Sequence, residues 1–286
     1  MDWDRLRILE RLQAGRVRPR ALGILGVTVL IAALVGLGLG MGATRIGRGD
    51  QVVVGNTGGT ASVVLSIGDS LVVIGGGDSR ADLPDFVDRS TLPWRRHVDL
   101  MIVPAADTQH VAGAVGLIEH GTVTAIAILG DPGDDPTWAL LRSEADHYHT
   151  TVKVLTGQQR LVIAPGAELS LDSGQSDDPA RPGPSAVLSY GQARIAIVDW
   201  PTALPSADAT PPTPPSGDVL ISLRPDSPLG ESDPSVFLRA TPYGASVAGS
   251  PRAEYAGDVG VGQRVTLNLR ADQIRLSAGA VSRSSE

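Results

Sequence analysis

An uncharged apolar segment, Ala21–Ala43, is the feature that most restricts what this chain can fold into. At a rise of ~1.5 Å per residue the segment spans ~34 Å as a helix, which is enough to cross a ~30 Å hydrocarbon core. Helices of soluble proteins are rarely apolar on all sides over this length. A cleaved signal peptide is the main alternative, and the small residues Gly40, Gly42 and Ala43 keep it open, but its apolar region usually has only ~7–15 residues. The segment therefore predicts a transmembrane helix at residues 21–43.

The arginines beside this segment predict its orientation. Six precede it and two closely follow it: Arg5, Arg7, Arg11, Arg16, Arg18 and Arg20 before, and Arg45 and Arg48 after. Positively charged flanks favour the cytoplasm. We therefore expect a single-pass protein of the cell membrane, with a basic cytoplasmic segment at 1–20, a short linker at 44–50 and a large extracytoplasmic domain. Trp3, Leu6, Leu9 and Leu12 either lie along the inner membrane surface or belong to a free basic tail.

The rest of the chain is acidic. Eight of the 24 Lys+Arg and three of the 31 Asp+Glu lie at or before Arg48, so the remainder holds 16 basic and 28 acidic residues, a net charge of −12. Lys153 is the one lysine. Nucleic-acid binding needs a basic surface, so it is not expected here. The chain has no cysteine, which excludes disulfides, thiolate metal sites and a Cys nucleophile.

Short β-branched runs with turn residues between them dominate from Gln51 onward. Gly68-Asp69 predicts a hairpin turn, and Pro136 is placed as in the first turn of a helix. The predicted strands are Ala61–Ile67, Ser70–Ile74, Val98–Val103, Val123–Leu129, Thr151–Leu155, Arg160–Ile163, Glu168–Leu171, Ala186–Ser189, Arg194–Val198, Val219–Leu223, Ala245–Val247, Val265–Leu269 and Gln273–Leu276. The predicted helices are Asp107–His120 and Pro136–His147, and the predicted loops are Asp172–Pro184 and Pro201–Gly217. Many strands with interleaved helices indicate a layered α/β or α+β domain.

One ten-residue stretch carries a resemblance to a known family. Residues Met101–His110 read MIVPAADTQH and are followed by Val111-Ala112-Gly113. Without a gap, the stretch resembles the metal-binding motif Leu-Ile-Leu-Ser-His-Pro-Asp-Ala-Asp-His of the metallo-β-lactamase fold. The resemblance is specifically to the outer domain at the end of ComEC-type competence proteins.

Other segments resemble the same family in the same order, from about Gln51 to Leu276. They are Val54–Gly58, Val73–Gly77, Val152–Leu155, Gly157–Leu161, Ser185–Asp199 and Asp218–Ser227. The resemblance implies a four-layer αββα sandwich over residues 51–278, followed by a tail at 279–286. Gly75 stands where the family's Leu-Ile-Asp-Gly-Gly motif has its Asp.

The resemblance also implies that most of the metal ligands are missing. Asp107 and His110 match family positions, and Asp199 matches the Asp of a Thr-Gly-Asp motif. The positions that lost their ligand type are Ala105, Gln109, Arg224 and Pro225. A Zn²⁺ site needs about three protein ligands, so Asp107, His110 and Asp199 would hold zinc poorly. We therefore expect no metal, no cofactor and no catalytic residue.

Each remaining candidate also has a structural explanation. Asp107 is placed as an N-cap of its helix, in which case Asp107→Ala should cost ~1 kcal/mol and Asp107→Asn little. His147 and His149 have a metal-like spacing, but they end a helix, where histidine favours the dipole and caps carbonyls. The glycine runs at 55–59 and 75–77 lack the Lys and the following helix of a phosphate cradle, so turn geometry explains them better.

Two functions follow from this pattern. The first is a catalytically inactive, membrane-anchored binding or scaffold module with an unknown protein partner or ligand. The alternative is a metal-dependent hydrolase that keeps zinc on Asp107, His110 and Asp199. An unrelated secreted β-rich domain is a third possibility, which two central sheets flanked by helices would contradict.

Overall fold

Strands dominate the described part of the chain. The computed structural model describes residues 49–92, 95, 97–105, 107–174, 183–199, 214–225, 234–240, 255–270 and 273–279. The helices within these ranges are α1 (Asp82–Ser90), α2 (Thr108–His120) and α3 (Pro136–His147). The strands are β1 (Gln51–Asn56), β2 (Ala61–Ile67), β3 (Ser70–Ile74), β4 (His97–Val103), β5 (Thr122–Leu129), β6 (Thr151–Leu155), β7 (Gln158–Ala164), β8 (Ala167–Asp172), β9 (Ser185–Tyr190), β10 (Ala193–Val198), β11 (Val219–Ser222), β12 (Val236–Ala240), β13 (Tyr255–Val259), β14 (Arg264–Arg270) and β15 (Gln273–Gly279).

The strands form two mixed sheets. The first sheet has the order β15-β14-β1-β2-β3-β4-β5-β6, antiparallel from β15 to β3 and parallel from β3 to β6. The second has the order β13-β12-β11-β10-β9-β8-β7, parallel from β13 to β10 and antiparallel from there to β7. In both sheets, therefore, parallel strands bring several carboxyl ends to one edge, which is where ligand sites form in α/β proteins.

Two hydrophobic cores define the layers. Side chains such as Leu65 in β2, Leu169 in β8 and Ile195 in β10 are 0% exposed and belong to one cluster between the sheets. A second cluster lies on the other face of the first sheet, where Leu83, Val115 and Leu141 come from the three helices. Each such side chain contributes about 1.5–3 kcal/mol through burial. The result is a sheet-rich α/β fold with the layers helix, sheet and sheet.

Most predicted elements are confirmed. Strands β2 and β3 have the predicted bounds and pair around Gly68, whose φ is +55°. Helix α3 also has the predicted bounds, with Pro136 in its first turn and Asp135 as N-cap. Helix α2 begins at Thr108, one residue later than predicted, because Asp107 is its N-cap.

Helix α1 and strands β1, β12 and β13 were not delimited from the sequence. Helix α1 has only nine residues, and its N-cap Ala81 makes no side-chain capping bond, so the usual start signal is missing. Strand β12 carries a buried Arg239, and β13 contains Gly257 and Asp258, which are residue types that strands usually avoid. In both strands, packing within the second sheet outweighs the local preference.

Several predictions fall outside the described residues. They include the anchor at 21–43, the strand at 245–247 and most of the loop at 201–217. No helix in the ranges given above is long and apolar enough to cross a membrane. Those same ranges contain no second helical layer, which would be the fourth layer of the predicted αββα sandwich.

Candidate functional site

Two candidate side chains come from the segment that joins β4 to α2. The backbone of Asp107 is extended (φ −111°, ψ 171°), and its Oδ1 accepts a hydrogen bond from the Gln109 backbone N–H at 3.1 Å. The predicted N-cap is therefore confirmed. His110 lies three residues further, in the first turn of α2, and is 0% exposed.

Two glycines allow α2 to lie close to the turn after β3. A Cβ on Gly76 would lie only 2.3 Å from the backbone oxygen of His110, and a Cβ on Gly113 would lie 2.9 Å from the backbone of Gly76. The Gly113 N–H donates to the Gly77 carbonyl at 2.8 Å. The glycine run at 75–77 thus serves close packing, and this packing brings His110 to the edge of the first sheet.

The second sheet supplies the other two charged side chains. Strands β10 and β11 are parallel neighbours, and Asp199 and Arg224 lie just beyond their carboxyl ends. The Leu223 N–H donates to the Val198 carbonyl at 2.9 Å, and the Ser222 hydroxyl donates to the Arg224 carbonyl at 2.8 Å. These bonds hold the backbone beside Arg224, so its side chain projects from a fixed position.

Arg224 lies at the centre of the resulting cluster. Its Nε donates to Asp199 Oδ1 at 2.9 Å, and its Nη2 donates to Asp107 Oδ2 at 3.0 Å and to Asp199 Oδ2 at 3.3 Å. Its Nη1 donates to Gln109 Oε1 at 2.9 Å. These four contacts use most of the five N–H donors of a guanidinium. Arg224 therefore joins the β4–α2 segment of the first sheet to the second sheet.

His110 completes the cluster from the side of the helix. Its Nδ1 lies 2.6 Å from Asp107 Oδ1, a charge-assisted hydrogen-bond distance. Its Nε2 lies 3.4 Å from Asp199 Oδ2, which is close enough for an ion pair but lacks the geometry of a hydrogen bond. The contact of this buried nitrogen with Asp199 is therefore mainly electrostatic.

The charges in the cluster stabilise one another. Burial alone would lower the pKa of His110, but the carboxylates of Asp199 and Asp107 raise the pKa to about 9. Burial alone would raise the pKa of Asp199, but His110 and Arg224 lower it to about 2. The pKa of Asp107 is also lowered, because His110 and Arg224 outweigh its burial. At neutral pH the cluster therefore holds two carboxylates, an imidazolium and a guanidinium, whose charges cancel.

This donor set does not fit a metal centre. Zinc needs about three converging ligands with free lone pairs. Here Arg224 contacts both carboxylate oxygens of Asp199 and one of Asp107, while His110 and the α2 backbone contact the other. Elsewhere in the described ranges, too, no three His, Cys, Asp or Glu side chains are grouped so as to hold a metal ion.

The other candidate positions add no ligand to the cluster. Ala105 has no ligand atom, and Pro225 lines a small cavity of about 150 Å³ beside Gln109 and Arg224. The remaining histidines lie elsewhere. His97 contacts Thr124 and His120 contacts Asp88. His147 is the last residue of α3, and His149 lies two residues beyond it. A larger cavity of about 560 Å³ lies on the second sheet between Arg160, Arg194 and Pro215 and shares no residue with the cluster.

The sequence did not reveal the role of Arg224. The resemblance identifies it only as a position that lost its ligand type. The signal that could have identified it is complementarity: an arginine replaces a ligand at a position expected to face Asp107 and Asp199. Gln109, also interpreted as a lost ligand, is the third acceptor of the same guanidinium.

Comparison with known proteins gives similarities of fold over part of the chain. No protein-family model matches this chain, and no curated protein matches it in sequence. Among solved structures it is similar to the metallo-β-lactamase fold protein YhfI from Bacillus subtilis (TM-score 0.43, 13% identity, covering 77% of this chain and 100% of that one). It is also similar to the Rm3 metallo-β-lactamase (TM-score 0.41, 17% identity, 62% and 76%) and to Zn²⁺-bound PqqB from Methylobacterium extorquens (TM-score 0.41, 13% identity, 64% and 71%).

Proposed function

We propose that this chain is a membrane-anchored outer domain of the metallo-β-lactamase-like, ComEC type that has lost metal-dependent hydrolysis and works as a binding or scaffold module. The observation that carries this proposal is the position of Arg224. Its guanidinium contacts the carboxylates of Asp107 and Asp199, two of the three ligand-type side chains in the cluster. A cation that belongs to the chain therefore stands among the groups that a catalytic metal would need.

A guanidinium cannot replace the chemistry of a metal. A metal ion lowers the pKa of a bound water and polarises the substrate, and both tasks require open coordination positions. Arginine stays protonated and has no acceptor, so it can neither bind a hydroxide as a metal does nor act as a general base. Most of its donors are also used internally, which leaves little of the guanidinium for a substrate. Hydrolysis by the usual route of this fold is therefore not expected.

The anchor and the charge support the rest of the proposal. The segment 21–43 and its arginine flanks would hold the acidic domain outside the membrane. A net charge of −12 after Arg48 makes a protein or small-molecule partner more suitable than a nucleic acid. In this function the domain presents a binding surface, and the cluster around Arg224 stabilises the fold.

The zinc content of the full chain, purified in detergent, tests the loss of the metal site. The chain would be loaded with equimolar zinc, dialysed and analysed by mass spectrometry, with a chelator-treated sample as the control. We expect zinc far below one ion per chain after dialysis. One zinc per chain that resists dialysis would overturn the proposal.

One observation favours the alternative, a hydrolase with a reduced zinc site. His110 Nε2 is a buried nitrogen that makes no well-formed hydrogen bond, although it lies 3.4 Å from Asp199 Oδ2. Such atoms are rare unless something else occupies the site. In this alternative Arg224 would have to leave Asp199, so stoichiometric zinc should abolish the stabilising contribution of Arg224. The same zinc measurement therefore separates the two functions.

A further inference from the structure

We infer that the larger cavity, on the second sheet, is a binding site for a small organic anion that carries a carboxylate or phosphate group. The cavity has a volume of about 560 Å³ and lies apart from the cluster around Arg224. This volume is within the range of small-molecule sites. The inference rests on the proposed function, because it names a site and a ligand class for a domain that works by binding.

The alternation of side chains along the strands gives the cavity its polar wall. Leu169 in β8 and Leu188 in β9 pack between the two sheets. Residues at the alternate positions therefore point to the far face of the second sheet, the face turned away from the first sheet. Ser170 in β8 and Ser185 in β9 occupy such positions and line the cavity. Their hydroxyl groups can donate hydrogen bonds to an anion.

The cavity also has an apolar part. Val187 in β9 packs against the small apolar cluster formed by β10, β11 and β12, and it lines the cavity as well. Pro214 and Pro215 add further apolar surface to the wall. Apolar lining beside a few polar groups is typical of sites for organic molecules. The lining therefore suits an organic anion better than an inorganic ion.

Two arginines supply the positive charge. Within the described ranges, the guanidinium of Arg194 has a single contact, a long 3.5 Å hydrogen bond from Nη1 to Ser216 Oγ. Arg160 pairs with Glu168 through its Nε at 2.6 Å, and its side chain is 74% exposed. That contact leaves its terminal nitrogens for a ligand. A guanidinium with free N–H groups is well suited to bind carboxylate or phosphate oxygens.

The carboxylate in the lining does not cancel this charge. Both oxygens of Asp172 accept hydrogen bonds, from Gln158 Nε2 at 3.1 Å and from the Gly174 N–H at 3.0 Å. The described lining therefore holds two guanidinium groups and one carboxylate. The chain after Arg48 has a net charge of −12, so this cavity differs in sign from the domain around it. Such a local positive charge favours a negatively charged ligand.

The test uses the full chain in detergent and metal-free buffer, with succinate and glycerol 3-phosphate as probes at constant ionic strength. We expect at least one probe to bind with a Kd on the order of 1 mM. At about ten times that Kd, it should raise the melting temperature by about 3–5 °C. Succinate tests the carboxylate and glycerol 3-phosphate tests the phosphate. The inference is wrong if neither probe has an effect, or if sulfate at the same concentration gives an equal rise.

A matched pair of variants locates the binding. Arg194→Gln should weaken binding of the effective probe at least about tenfold, and Arg194→Lys should retain part of it because the charge remains. Without a probe, Arg194→Gln should melt like the unmodified chain, since the side chain has one long contact. Arg142→Gln makes the same change at an exposed position of α3, on the other side of the first sheet, and should bind normally. Unchanged binding in Arg194→Gln, or an equal loss in Arg142→Gln, would overturn the inference.

The failure of this inference differs from the failure of the proposed function. Neither probe contains a metal, so the result does not depend on the zinc content of the chain. A chain without zinc that binds neither probe would lose this site alone, and the proposed loss of metal-dependent hydrolysis would stand. Stoichiometric zinc would overturn the proposed function, while probe binding that depends on Arg194 would still support the cavity as an anion site.

Discussion

Two arginines of the second sheet, the buried Arg239 and the partly buried Arg224, pair with carboxylates in different ways. Arg239 in β12 faces Asp258 in β13, and the two are direct partners in the register of these strands, 19 positions apart. Arg224 follows β11 and contacts Asp107, 117 positions away, in a segment that belongs to the first sheet. One pair stays within a sheet, and the other links two sheets.

The difference shows what each arginine contributes to the fold. The pair of Arg239 and Asp258 adds a cross-strand interaction to an existing ladder. Arg224 connects two chain segments whose carboxylates, Asp107 and Asp199, would otherwise repel each other at the edge of the sandwich. We therefore expect the stability of the fold to depend far more on Arg224 than on Arg239.

The largest expected effect compares Arg224→Ala with Arg239→Ala. In metal-free buffer, Arg224→Ala should lower the free energy of unfolding by about 3–5 kcal/mol, because it leaves the 2% exposed Asp199 without the guanidinium that donates hydrogen bonds to both its oxygens. Arg239→Ala should cost only about 1–2 kcal/mol, since Asp258 keeps access to water. Urea denaturation of the full chain in detergent measures both values. Equal losses of free energy of unfolding in the two variants would show that an arginine linking two sheets stabilises the fold no more than one within a single sheet.

The second effect concerns pH and the charge of His110. Its pKa in the folded state is about 9, above the unfolded value of about 6.5. The resulting stabilisation is fully present below pH 6.5 and is lost as the pH rises through 9. We expect the free energy of unfolding to fall over that range by an amount on the order of 3 kcal/mol. The low pKa of Asp199 acts in the opposite direction, so its contribution is lost only as the pH falls from about 4 towards 2.

A pair of variants assigns this pH dependence to the cluster. Asp199→Asn should flatten the decline between pH 6.5 and 9, because it removes the charge that most strongly raises the pKa of His110. His120→Gln, which changes a half-exposed histidine outside the cluster, should leave the decline unchanged. If Asp199→Asn keeps the full decline, the stabilisation of His110 does not come from this contact.

A smaller effect separates the capping bond of Asp107 from its ion pairs. The sequence alone predicted ~1 kcal/mol for Asp107→Ala and little for Asp107→Asn, because it assigned a cap and nothing more. The contacts with Arg224 and His110 raise the expected loss of free energy of unfolding to about 2 kcal/mol for Asp107→Ala and about 1 kcal/mol for Asp107→Asn. Asparagine keeps an acceptor for the Gln109 N–H but loses the charge. Thermal or urea unfolding would measure the two costs, and a neutral Asp107→Asn would restore the simpler interpretation.

The smallest effect is expected at an exposed ion pair. Arg80 and Glu119 are 2.7 Å apart, but their side chains are 51% and 32% exposed. Arg80→Ala should change the free energy of unfolding by less than about 1 kcal/mol, since solvent screens such pairs. A loss comparable to that of Arg224→Ala would mean that exposure does not distinguish the two sites. The same unfolding measurement applies.

Local signals were sufficient for much of the fold. The turn at Gly68-Asp69, the Pro136 start of α3 and the Asp107 cap each act within a few residues, and each is confirmed. Asp107 and His110 are three positions apart, a spacing at which side chains meet on one turn of a helix, and the structure shows this contact. The sequence does not predict strands β12 and β13, because their extended conformation depends on pairing with neighbouring strands more than on the propensities of their own residues.

The cluster itself could be predicted only in part. The resemblance assigned Asp107, His110 and Asp199 to a common site, and the structure does bring them together. It did not predict that Arg224 would enter that site, because an arginine at a ligand position is equally consistent with a side chain that turns away. The direction of a long side chain depends on the partners at its tip, and here those partners come from both sheets.

Because Arg224 is attached to the backbone, the positive charge between Asp107 and Asp199 can neither dissociate nor be exchanged. Its guanidinium also stays protonated over the whole pH range in which proteins fold, so this positive charge is always present. Under the proposed function, folding of this edge therefore does not depend on a supply of metal. The cation that holds the two carboxylates together at this edge is part of the polypeptide itself.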